Sequence, residues 1–389
     1  MKLRITGWAA LIVVTGIQAD PLTLQDGDRV VMVGNTFVER EARYGYLESA
    51  MSIRYSGRNI TFRNLGWSGD TVFGDARAYF DSPNQGYQRL IERTKSLNPT
   101  IIMLSYGLNE SFQGEAGLTR FVKGYEKLLN DLKDTKARFV LFTPLKIESN
   151  HNVPNIEKKN EEIERYTIAI KSLAEKYHAQ VLDLNDSLAS QESRTDNGLH
   201  LTPYGYRETV ADLERAAGWS PLKWNVSISA TDGTIQSNGT KVKVKSKYEY
   251  QVSDDHLPIP IMNKNKRKSV IGHRIIAIAG LEDGNYTLTI DDAKVVSADA
   301  KAWANGVQIE GGPDYDQAES MRQTIINKNE LYFNSWRPQN ITYLLGFRKH
   351  EQGNNAKELD MFAPLIVEKE ALIRKLSTPT THMYRWTRN

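Results

Sequence analysis

Between residues 28 and 217, short apolar runs alternate with longer amphipathic stretches. The runs at 29–33, 60–65, 101–106, 139–143 and 180–184 are rich in β-branched and aromatic residues, and each ends at a Gly, a Pro or a polar turn. Uninterrupted runs of this length predict strands buried on both faces, the pattern of a parallel sheet. The stretches at 40–55, 87–97, 118–133, 156–177 and 203–217 are longer and amphipathic. They predict the crossover helices. Alternating βα units imply an α/β fold with a parallel sheet between two helical layers, and in such sheets ligands bind beyond the carboxyl ends of the strands.

After Trp219 the period changes. Strands are predicted at 224–230, 241–252, 274–279 and 286–291, with turns at Asp232-Gly233, Asn238-Gly239 and Asp283-Gly284 between them. A small β-rich, sandwich-like insert over 221–294 follows from this, attached to an α/β domain over 20–220. The remaining segment, 295–389, reads as a more helical tail with an aromatic and Arg-rich stretch at 332–340. It is expected to pack back on the α/β domain.

Composition changes the picture at one end only. Of 389 residues, 40% are hydrophobic and 25% charged, ordinary for a globular protein. Residues 1–19 differ. Lys2 and Arg4 precede an apolar run at 8–14, and small residues lead to Ala19. This is the pattern of a secretory signal peptide, too short for a membrane span, so a secreted or periplasmic bacterial protein is expected. The formal net charge is +3, or about +1 without Lys2 and Arg4, and makes no electrostatic case for nucleic acid or an anionic membrane. The chain has no Cys, which removes thiolate metal sites, Cys nucleophiles and covalent c-type haem. No metal or cofactor is expected.

Three strands run into segments with chemistry: Gly34-Asn35-Thr36-Phe37, Asn64-Leu65-Gly66-Trp67-Ser68-Gly69-Asp70-Thr71 and Tyr106-Gly107-Leu108-Asn109-Glu110. A fourth segment, Asp196-Asn197-Gly198-Leu199-His200-Leu201, precedes the helix at 203. A hydroxyl nucleophile, donors for an oxyanion and a histidine base are the parts of an acyl-transfer site, and these segments hold candidates for each. The Thr36 hydroxyl would project from the carboxyl edge of the sheet. Its own N–H would lie at a helix N-terminus, favourable for negative charge. The simpler role for Thr36 is to cap that helix.

In order and approximate spacing the four segments resemble the SGNH (GDSL-type) hydrolases, over about 28–217. With the later β insert and Trp/Arg-rich tail, the layout looks like the GDSL-type proteins abundant in planctomycetes. The resemblance implies a flavodoxin-like three-layer sheet and the following roles. Thr36 stands where the family has its Ser nucleophile. Thr36 N–H, Gly69 N–H and the Asn109 side chain would hold the oxyanion, and His200 would be the base. The family's acidic residue lies three positions before the His, where this chain has Asn197. Asp196, one further back, is the favoured orienting group, with Asn197 as the neutral alternative. Asn35, Trp67, Trp336 and Arg337 are expected on the substrate side. The implied activity is an exported ester hydrolase, an O-deacetylase of acylated carbohydrate working through a covalent acyl-enzyme. The alternative is a catalytically weak or inactive glycan-binding or scaffold protein on the same fold.

Overall fold

The computed structural model of the chain describes residues 20–149, 153–185, 193–261 and 273–389. The expected leader at 1–19 lies outside the described residues. Strands β1 (Arg29–Gly34), β2 (Thr61–Gly66), β3 (Ile101–Ser105), β4 (Arg138–Phe142) and β5 (Gln180–Leu182) form one parallel sheet in the order β2-β1-β3-β4-β5. Helices α1 (Thr36–Tyr44), α2 (Tyr46–Arg54), α3 (Pro83–Ser96), the short α4 (Leu108–Ser111), α5 (Gly114–Leu132), α6 (Ile156–Tyr177) and α7 (Pro203–Ala216) connect the strands and follow them. Alternation along the strands sorts the core. Val30 and Met32 of β1 pack with Leu47, Met51 and Val210 on one face. Val31 and Val33 pack with Leu90, Leu128 and Ile170 on the other. The domain is therefore a three-layer α/β/α sandwich with a flavodoxin-like sheet.

The amphipathic stretch at 40–55 is two helices, not one. Gly45 breaks it with φ +66°, and a Cβ there would lie 3.1 Å from Ile325. A left-handed glycine ends one helix and starts the next at no steric cost.

The second domain is larger in sequence than 221–294. One sheet contains β6 (Trp224–Ser229), β7 (Ile235–Asn238), β10 (Arg274–Ala279) and β13 (Val307–Ile309). The other has the order β12-β11-β14-β9-β8, from β8 (Thr240–Ser246), β9 (Glu249–Asp254), β11 (Asn285–Ile290), β12 (Ala293–Asp299) and β14 (Thr381–Arg388). The expected single strand at 241–252 is thus a hairpin. Helix α8 (Ala300–Asn305) buries Trp303 between the sheets. The last strand, β14, lies between β11 and β9 and carries His382, Tyr384 and Trp386 inward. Its partners are far away in sequence, so local pattern alone did not assign it.

Between the two, α9 (Pro313–Trp336), the short α10 (Ile341–Leu344) and α11 (Lys349–Gln352), and α12 (Phe362–Ser377) cross back to the α/β domain. The α9/α12 hairpin covers β2, the edge strand, which would otherwise present unpaired backbone groups. Buried Lys328 of α9 donates to Glu48 of α2 at 2.6 Å and to the Phe62 carbonyl of β2 at 3.1 Å. Among the described residues no helix is long and apolar enough to cross a membrane.

Candidate active site

The carboxyl ends of β1 and β2 are glycines because neighbouring backbones come too close for a side chain. A Cβ on Gly34 would lie 2.6 Å from the Ser105 carbonyl, and one on Gly66 2.1 Å from the Glu39 nitrogen. Past Gly34 the chain turns at Asn35, whose side chain caps α1 by accepting from Phe37 N at 3.1 Å. Asn35, expected on the substrate side, is buried and spends its oxygen on this cap. Thr36 is then the first residue of α1. Its Oγ1 accepts a long hydrogen bond of 3.4 Å from Gly69 N–H, and Gly69 has φ +78°. The cap is Asn35, which leaves the Thr36 hydroxyl free of that duty.

The second loop is held rigid from behind. Asp70 is fully buried, 2.7 Å from Arg77 Nε and 3.0 Å from the Tyr106 hydroxyl. Asn109 donates from Nδ2 to the Asp70 carbonyl at 2.8 Å, so one of its two protons locks this loop and the second remains for the pocket. Glu110 ties the loops together by accepting from Val72 N and Gly107 N, both at 2.9 Å. Burial pushes its carboxyl up to about 7, against those backbone bonds. Asp70, Arg77 and Glu110 had no assigned role in the sequence reading. A buried Arg/Asp pair seven positions apart leaves no period to detect.

His200 is carried by a loop pinned to Glu148, which accepts from Arg194 N at 2.9 Å and Thr195 N at 3.0 Å. The favoured orienting group, Asp196, turns away from the imidazole and pairs with Arg40 of α1 at 3.1 Å. The side chain on His200 Nδ1 is Asn197, at 3.0 Å through its Nδ2. Burial, then the Arg40 charge, push the His200 pKa below its ordinary value, with Asp196 opposing. Thr36, Asn109 and His200 line one cavity of about 60 Å³, with Tyr106, Leu108 and Phe112 among its walls. Among the described residues no hydrogen bond joins Thr36 Oγ1 to His200.

A second cavity, of about 410 Å³, is lined by Trp67, Tyr79, Phe80, Trp336, Phe347 and neighbouring residues of α3 and α10. Trp67 is covered by the Arg337 guanidinium at 3.5 Å and contacts Tyr79 and Trp336. Arg337 also pairs with Glu39 at 3.0 Å, so it braces the cleft wall. Phe80 and Phe347 are 79% and 62% exposed, yet their rings meet at 5.9 Å. Tyr79 holds φ +55°, rare for a bulky residue.

A parallel sheet in this order, with glycine-edged loops at its carboxyl end, has the architecture of the SGNH hydrolase fold, and a strand-end hydroxyl and a loop histidine share one pocket there. A profile of the GDSL-like Lipase/Acylhydrolase family matches residues 32–208, the α/β domain of this chain. A solved structure described as a gut microbial diltiazem-metabolizing enzyme is similar over 94% of this chain and 99% of its own, at 17% identity and TM-score 0.73. That likeness concerns the fold, and it extends through the sandwich and the C-terminal helices. An acetylxylan esterase from Geobacillus stearothermophilus aligns over 51% of this chain and 98% of its own, at 16% identity and TM-score 0.41. An alpha/beta hydrolase from the metagenome of Lake Arreo, Spain, aligns over 50% and 97%, at 17% and 0.38. No curated protein sequence matches the chain.

Proposed function

We propose that this protein hydrolyses small acyl esters, most simply O-acetyl groups on a ring-bearing alcohol such as a carbohydrate, outside the cytoplasm. The observation that carries the reading is the Thr36 hydroxyl, on the first residue of α1, facing the Gly69 N–H and sharing one small cavity with His200 and Asn109. Thr36 Oγ1 attacks the ester carbonyl carbon as its proton passes to His200 Nε2. The carbonyl oxygen becomes an oxyanion beside Thr36 N–H, Gly69 N–H and Asn109 Nδ2, where fixed donors are worth most. The C–O bond to the alcohol breaks, and the alcohol leaves with the proton from His200. Water then attacks the acyl-Thr36 carbonyl and gives its proton to His200; the C–Oγ1 bond breaks, His200 returns that proton to Thr36 Oγ1, and the acid is released.

Size supports the acyl group. A cavity of about 60 Å³ has room for roughly four water-sized groups, enough for acetyl and too little for a long chain. The larger aromatic cavity beside Trp67 supports a ring on the alcohol side, since stacking needs the exposed faces that Phe80 and Phe347 offer. Export is proposed from the pattern at 1–19.

Acetate release from a short acetyl ester and from acetylated polysaccharide tests the reading in wild type, Thr36→Ala and Thr36→Ser. Loss in the Ala variant with an equal or higher rate in the Ser variant is expected, because the Thr methyl crowds the attack path and restricts χ1. Turnover indifferent to Thr36 would overturn it.

A further inference from the structure

We infer that Asn197 holds His200 as its Nε2–H tautomer, so that in the resting site the imidazole donates to the pocket and is not a base toward Thr36. The kinetic consequence rests on the esterase reading above, whereas the tautomer follows from the loop alone. Asn197 Oδ1 accepts from Leu199 N at 3.1 Å and from His200 N at 2.9 Å. Only the oxygen of an amide can accept, so these two bonds decide which end is which. The end facing His200 Nδ1 at 3.0 Å is therefore the amino group. An amino group offers only protons. Nδ1 must supply the lone pair, and the single proton of the neutral ring lies on Nε2. Turning the amide over would give up both backbone bonds and aim its protons at two N–H donors.

The neighbours do not reverse this. Asp196, from the same loop, could draw a proton to Nδ1, but it is held on Arg40. Arg40 is kept in place from α1 by a second bond, to the Leu201 carbonyl at 3.3 Å. A charged ring is disfavoured too, since it would present an Nδ1 proton to the amino group. Burial and Arg40 act in the same direction.

For Thr36 to lose its proton, Nε2 must first be bare. The ring has to move its proton to Nδ1 while the amide turns. In serine proteases an Asp-to-Asn change at this role leaves the geometry intact and costs about 10⁴ in kcat through the wrong tautomer. Here the change Asn197→Asp keeps the shape. One carboxylate oxygen retains both backbone bonds, and the other accepts from Nδ1–H. Asn197 is thus a positioning residue, and one atom of it sets the rate.

The test is the ¹⁵N spectrum of the His200 imidazole in wild type at mildly alkaline pH, assigned by its absence in His200→Gln. Protonated Nε2 with bare Nδ1 is expected. A proton on Nδ1 in wild type would overturn the inference, and His200→Gln serves only to assign the signal. In Asn197→Asp the tautomer should reverse and kcat on an acetyl ester should rise roughly 10²- to 10⁴-fold with KM within a few-fold. A rise in kcat without reversal also overturns the inference. Reversal with no ester turnover in either protein leaves the tautomer assignment standing and overturns the esterase reading.

Discussion

The C-terminal strand is fastened by a histidine between carboxylates, and its removal has a pH signature. His382 is 7% exposed. Its Nε2 lies 3.3 Å from Asp314, and its Nδ1 2.6 Å from Asp291. Asp314 in turn shares Arg274 with Asp254. The nearby Asp314 carboxylate, assisted by Asp291 and opposed by burial, pushes the imidazole up to about 9 from an ordinary 6.5. A raised pKa stabilises the fold in full below pH 6.5, and the gain is lost as pH rises through about 9. At about 1.4 kcal/mol per unit the shift corresponds to about 3 kcal/mol. Asp291 is 46% exposed on its side chain, so water shares that partner and about 2 kcal/mol is expected. Buried Glu41 and Glu110, raised to about 8 and about 7, also lose stability as pH rises from the ordinary carboxylate range. The wild-type slope alone is therefore not diagnostic. His382→Gln retains both carboxyls, so its difference from wild type isolates the histidine. Thermal unfolding followed by Trp fluorescence suits the assay, because Trp224, Trp303 and Trp386 sit in the sandwich core. The variant should be less stable by about 2 kcal/mol at pH 6.5, several degrees in Tm, and the two curves should converge near pH 9.5. Parallel curves across that range would refute the reasoning.

Three further outcomes are expected. Arg77→Met strands the Asp70 carboxylate in the core and should cost about 3–5 kcal/mol in denaturant unfolding, with Asp70→Asn added to it recovering part of the loss. Gly66→Ala drives a methyl against the backbone of α1 at Glu39, so a loss above about 3 kcal/mol is expected, read as a lowered midpoint in urea. Removing both exposed rings, Phe80→Ala with Phe347→Ala, should raise KM for a ring-bearing ester about tenfold more than for a minimal acetyl ester, and an equal effect on both in steady-state kinetics would exclude the aromatic cavity as the alcohol subsite.

Much of the α/β domain was legible because its signals are local. The central runs in β1 and β3 are buried on both faces, and most helices keep their own period, so no distant partner is needed to assign them. The glycines at strand ends were visible for the same reason, although the close approaches that require them at Gly34 and Gly66 were not. The acid at the histidine was misplaced. Asp196 has the right charge, but the loop turn set by Asn197 and the pull of Arg40, far off in sequence, send it elsewhere.

By itself the sequence determined the layers of the first domain, the strand-end loops and the set of polar residues available to the pocket, because burial periodicity and turn chemistry act over a few residues. Only the tertiary structure decided that the last strand completes the sandwich, that α9 and α12 cover an open sheet edge, and which amide atom meets His200. Those outcomes depend on contacts between segments tens to hundreds of residues apart, or on which of two nearly identical atoms a pair of backbone N–H groups selects, and neither leaves a local pattern in the chain.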